Sequence, residues 1–159
     1  MRRFTTLSLT LALTLSVALP LLSQTTDAKP NTYGQKLVDQ EITKHPEIVV
    51  LVFHTINKDA SDYPITASNI GRYGKKADED DLRCIKTGKV NLEVNKTKPQ
   101  FEVEMRLHDS SKKTIGAIAV VYPYKPGDDQ EALRKKAEAV RAELEKQIPS
   151  VDKLNEPAQ

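Results

Sequence analysis

Two consecutive strands of unequal character, Gln100–Leu107 and Thr114–Tyr122, constrain this chain more than anything else in it. The first alternates, with Phe101, Val103, Met105 and Leu107 on one face and Glu102, Glu104 and Arg106 on the other. The second reads Thr-Ile-Gly-Ala-Ile-Ala-Val-Val-Tyr, without a charge and apolar on both faces. Side chains alternate along a strand, so the first strand has one face to bury and belongs near a sheet edge. The second has two faces to bury, which only the middle of a sheet provides. His108–Lys113 is a polar turn joining the two.

A second doubly apolar run, Glu47–Ile56, predicts another central strand. Ile65–Ile70, beyond the polar connection Asn57–Tyr63 and Pro64, pairs with it as a hairpin, and Val90–Asn95 is a short alternating strand. A first helix is capped by Asn31 or Thr32 and stopped by Pro46. A short one opens at Asp78–Asp81, whose charges suit the positive end of a helix, and stops at Gly88. The last begins after Gly127, with Asp128 and Glu131 as a capping-box-like pair. Its apolar residues Leu133, Ala137, Val140, Leu144 and Ile148 recur at steps of three and four. The order helix, two strands, short helix, three strands, helix predicts an α+β fold on a five-stranded antiparallel sheet of order 2-1-5-4-3. That order is expected to leave the charged faces of the outer strands near solvent.

Residues 1–28 read as a signal peptide. Arg2 and Arg3 precede an apolar stretch from Leu7 to Leu22, and Thr26-Asp27-Ala28 supplies small residues at a cleavage site. An uncleaved anchor is the rival reading, but Pro20 and several Ser and Thr residues make the stretch a poor span. The expected location is periplasmic or secreted, with no membrane span after cleavage. Residues 29–148 form one domain and 149–159 a flexible tail. Cys84 is the single cysteine, so no internal disulfide is available, and a buried inert thiol is expected. An aromatic share of 5% and a formal charge of +2, part of it from Arg2 and Arg3, argue against a nucleic-acid partner.

The best candidate for a ligand contact is the loop Gly71-Arg72-Tyr73-Gly74-Lys75-Lys76. Its backbone N–H groups and the Arg72 guanidinium can cradle a carboxylate or phosphate. Ser68 and Asn69, just before it, and Tyr122, at the end of the central strand, are expected to add hydroxyl and amide groups. No metal site or cofactor is expected: His45, His54 and His108 lack metal-ligand spacing, and Asp78–Asp81 reads as helix capping rather than a calcium loop. Of the histidines, His54 is the one to watch, because it lies inside a central strand. Glu102 and Glu104 share a strand face with Arg106, which reads as a solvated charge ladder rather than an acid/base pair. With no nucleophile beside a base, the chain is not expected to be an enzyme.

Ile65-Thr66-Ala67-Ser68-Asn69-Ile70, the Gly88-Lys89 turn and the hairpin ending Thr114-Ile115-Gly116-Ala117 resemble PAS-like and Cache-type sensor domains over Gln35–Tyr124. The chain looks like a small secreted bacterial protein of that kind. The resemblance implies non-catalytic binding or sensing of a small molecule, an anionic or zwitterionic metabolite, acting with a membrane receptor partner. The alternatives are an interaction module without a pocket and a small enzyme on an NTF2-like scaffold. A cavity beneath the sheet separates the first reading from the second, and an ionisable group deep inside it revives the third.

Overall fold

The computed structural model describes residues 28–159, so the expected signal peptide, apart from Ala28, lies outside the described residues. α1 (Tyr33–Lys44) starts where the Thr32 hydroxyl accepts the Gln35 N–H, and Pro46 follows its His45 cap. β1 (Val50–Thr55) and β2 (Ile65–Ser68) pair antiparallel. α2 (Glu79–Thr87) opens with a reciprocal capping box between Asp78 and Asp81. β3 (Asn91–Val94), β4 (Gln100–His108) and β5 (Thr114–Pro123) then form a meander. α3 (Gln130–Gln147) takes its cap from Asp129 rather than the expected Asp128, whose carboxylate is occupied by the Lys125 N–H in the preceding turn.

The sheet order is β2-β1-β5-β4-β3, as expected, and every pairing is antiparallel. The doubly apolar β5 sits in the middle and β1 beside it, because both of their faces are covered. On the first face Leu51, Phe53, Phe101, Val103, Met105, Leu107, Ile118, Val120 and Tyr122 pack beneath Leu37 and Val38 of α1 and Ala137, Val140 and Leu144 of α3. On the second face a smaller cluster of Val52, Ile65, Tyr73 and Ala119 lies under the connection between β2 and α2.

Two expectations need correction. The charged face of β4 is not at the solvent: Glu104 is 8% exposed, and its cross-strand neighbours are Ala119 and Asn91 rather than a basic residue. Glu102 stands opposite Glu93, a like-charge pair that destabilises a sheet unless something else uses it. The cause is tertiary, because α2 lies across β4 and β5 and covers the row.

Residues 149–159, expected as a flexible tail, are docked. Ser150 caps a short helix, α4 (Val151–Leu154), which returns the chain to α1. Glu156 accepts the Tyr33 N–H and Asn31 accepts the Ala158 N–H. Leu154 is 2% exposed and packs over Gly34, where a Cβ would be only 3.4 Å from the Leu154 side chain. Leu154→Ala is therefore expected to cost about 2 kcal/mol in urea unfolding, the low end for a buried leucine because the site is peripheral. An unchanged midpoint would make the segment a frayed end after all.

Candidate functional site

A cavity of about 530 Å³ opens on the second face of the sheet, within the range of about 300–1,000 Å³ usual for small-ligand sites. Its apolar floor is Val50 and Val52 of β1 with Ala119 and Val121 of β5. The small Ala119 side chain leaves the depression between taller neighbours. Glu102 and Glu104 rise from β4, His54 from β1, and Asp78 and Asp81 lean in from the start of α2. Arg72, Lys75 and Lys98 stand among the lining residues on loops rather than on the sheet.

Each acidic group is placed by a specific contact. Asp81 accepts the Asp78 N–H at 3.1 Å through Oδ2, and the same oxygen lies 3.4 Å from His54 Nε2. His54 Nδ1 is 2.9 Å from the Tyr63 carbonyl, which can only accept, so Nδ1 carries a hydrogen and Nε2 faces Asp81. Glu104 accepts from Asn91 Nδ2 at 2.9 Å, and Asn91 is itself held by Arg83. Carboxylate oxygens of Asp78, Asp81 and Glu104 lie within 4.8 Å of one another.

So much acid in so little water changes its titration. Burial, opposed by Asn91 but reinforced by Asp81, Glu102 and Asp78, pushes the Glu104 carboxyl up to about 8. Burial, with Glu93 opposite, also raises Glu102, and burial raises Asp81 against the pull of His54. Glu104 is thus mostly a neutral carboxylic acid at pH 7, able to donate as well as accept. The cluster meets its charge with protons and protein donors, so its proximity alone does not make a metal centre.

The loop that carries Arg72 is rigidly set. Gly71 and Gly74 adopt φ of 74° and 82°, the left-handed region open to glycine, and Arg72 itself has φ of 64°. Gly74 donates to the Ile65 carbonyl and Ile65 to that of Lys75, which fastens the loop along the outer edge of β2. Tyr73 anchors it with a 2.9 Å hydrogen bond from its hydroxyl to the Ser68 carbonyl.

Of the four residues expected at a site, Arg72 lines the cavity. Ser68 is buried and engaged elsewhere, its N–H and carbonyl both held by the Gln35 amide and its hydroxyl by the Ile70 N–H. Asn69, just past the end of β2, ties that strand to β1, its side chain accepting the Leu51 N–H and donating to the Val49 carbonyl. Tyr122 lies in the core on the opposite face, its hydroxyl buried and without a hydrogen-bond partner among the described residues. Strand alternation explains this, since Val121 and Tyr122 cannot face the same side. His54, Asp81, Glu102 and Glu104 are present instead. The sequence shows each of them, but only as a strand histidine, a helix cap and a charge ladder.

No family model matches the chain, and no curated protein matches it. Among solved structures it is similar to the inducer-binding domain of the PobR transcription factor from Acinetobacter, a double mutant in complex with 3-hydroxybenzoic acid. The match covers 76% of this chain and 100% of that one, at 8% identity and a TM-score of 0.41. A likeness of that degree lends nothing to the reading of the cavity.

Proposed function

We propose that this chain is a non-catalytic binding module that holds a small zwitterionic metabolite in the cavity on the second face of its sheet. One observation carries the reading: the cavity is acidic on its sheet and helix side and basic on its loops. An ammonium group fits among Asp81, Glu102 and Glu104 by taking the place of the proton that Glu104 otherwise holds at pH 7, and a carboxylate fits the Arg72 guanidinium, with Lys75 and Lys98 as further cations. Export belongs to the same reading, with a membrane receptor as the partner that reads the loaded state. Among the described residues no helix is long and apolar enough to cross a membrane.

Native mass spectrometry of the protein purified from its own host is expected to show a co-purifying small molecule. With that molecule, Arg72→Ala should weaken binding by about 1.5–3 kcal/mol, the range for hydrogen bonds to charged groups, without altering thermal unfolding. Equal affinity of the two proteins would remove the loop from the site. A catalytic reading of the same cavity is favoured by the buried neutral Glu104 carboxyl beside Asp81 and His54. Conversion of the recovered molecule on incubation with the protein, lost in Glu104→Gln, would establish it over simple binding.

A further inference from the structure

On the other side of the sheet from this cavity, where the end of α1 meets α3, Glu41, His45 and Glu143 each bring a ligand atom within 4.8 Å of the others. Glu41 and His45 are four positions apart, so their side chains leave the same side of α1. Glu41 is 3% exposed, yet among the described residues its Oε1 has no hydrogen-bond partner, and neither has the buried His45 Nε2. The two atoms are nonetheless 3.1 Å apart. At that separation a protonated His45 attracts Glu41 as an ion pair, but an Nε2–H does not point along the line between them, so both atoms are turned toward the space beside them. Donor atoms on a tetrahedral zinc ion, bound at about 2.0–2.1 Å, are separated by about 3.3 Å.

Three features around the pair agree. His45 turns its other nitrogen, Nδ1, toward Glu47 Oε1 at 3.6 Å, longer than a hydrogen bond but on the side from which a carboxylate backs a metal-bound imidazole. His45 is also the cap of α1, at the negative end of the helix dipole, where a cation is favoured. A cation already stands there: the Lys44 ammonium contacts Glu143 and lies 3.9 Å from Glu41 Oε1. Its side chain is largely exposed and free to turn into water.

We propose that Glu41, His45 and Glu143 form a zinc site that clamps the end of α1 to α3, with a remaining position for water and Lys44 as the cation that zinc displaces. One imidazole and two carboxylates suit this ion, and three protein ligands leave its fourth position open. The site draws on nothing in the cavity.

The test is calorimetric titration of the chelator-stripped full chain with zinc, and with magnesium as control. One saturable zinc site is expected, together with a zinc-dependent rise in Tm that magnesium does not reproduce. His45→Ala and the near-isosteric Glu41→Gln should abolish that site, whereas His108→Ala should retain it. Glu47→Gln should weaken it about tenfold, as loss of an outer carboxylate does. Lys44→Ala should bind zinc more tightly, because a competitor is gone. A salt-bridge cluster alone predicts otherwise. No saturable uptake by the wild type, or unchanged affinity in His45→Ala or Lys44→Ala, overturns the assignment.

Discussion

Replacing Gly116 by alanine should destabilise the domain by about 3 kcal/mol, the upper end of the usual cost of overpacking, and lower Tm by about 10 °C. Gly116 pairs with Thr55 of β1 and Leu107 of β4. A Cβ on it would stand 1.8 Å from the His54 carbonyl oxygen and 2.9 Å from the Thr55 Cα. These are main-chain atoms of the neighbouring strand, so no rotamer change relieves the contact. The glycine marks a close approach of backbones in the middle of the sheet. β1 would have to move at His54, which also contributes to the cavity, so ligand binding should fall with stability. Thermal unfolding of Gly116→Ala decides the matter, and a Tm equal to that of the wild type would refute the close approach.

Stability should fall by about 4 kcal/mol between pH 5 and pH 9, and Glu104→Gln should remove most of that fall. A carboxyl raised from 4.5 to about 8 in the folded protein binds its proton more tightly there than in the unfolded chain. Its contribution is therefore complete below about pH 4.5 and is lost as pH rises through 8. Each pH unit between is worth about 1.4 kcal/mol. The groups facing Glu104 are Asp78 and Asp81 from α2, Glu102 on its own strand, Asn91 on β3 and His54 on β1. Raised Asp81 and Glu102 act in the same direction. Asp62 and Glu143, held below their ordinary values by Lys76 and Lys44, act in the opposite sense and at lower pH. Starting at pH 5 leaves those two aside. Glutamine has the shape of the neutral acid and cannot ionise, so the variant should be the more stable protein at pH 9. Urea unfolding at pH 5, 7 and 9 reads both proteins, and parallel profiles would show that Glu104 is not held protonated.

The strand order was legible because it rests on local patterns. A run such as Ile115–Tyr122, without a charge, has to be covered on both sides, and Glu47–Ile56, apolar on both faces from Ile48 to Phe53, is the other such run. Placing these two side by side in the centre leaves the alternating strands outside, which is the observed sheet. The sequence narrows the first cap to Asn31 or Thr32 and the second to Asp78–Asp81 for a similar reason, since capping depends on neighbours within three residues, and the structure selects Thr32 and Asp78. The docking of residues 149–159 is not legible in the sequence, because it depends on a long-range fit of Leu154 over Gly34, and a single leucine in a polar stretch gives no periodicity.

By itself, then, the sequence determined the α+β class, the two central strands, the antiparallel order and Arg72 as a candidate contact. The tertiary structure alone decided what covers the second face of the sheet. Glu102 and Glu104 look the same in the sequence whether water or α2 lies above them, yet only α2 makes Glu104 an acid that keeps its proton. It likewise decided that Tyr122 points away from the cavity and that His45 meets Glu41 and Glu143 instead of standing alone. The physical reason is common to these cases. Alternation and capping are set by residues a few positions apart, whereas burial, proton affinity and convergence of side chains are set by elements that the chain brings together from far along its length.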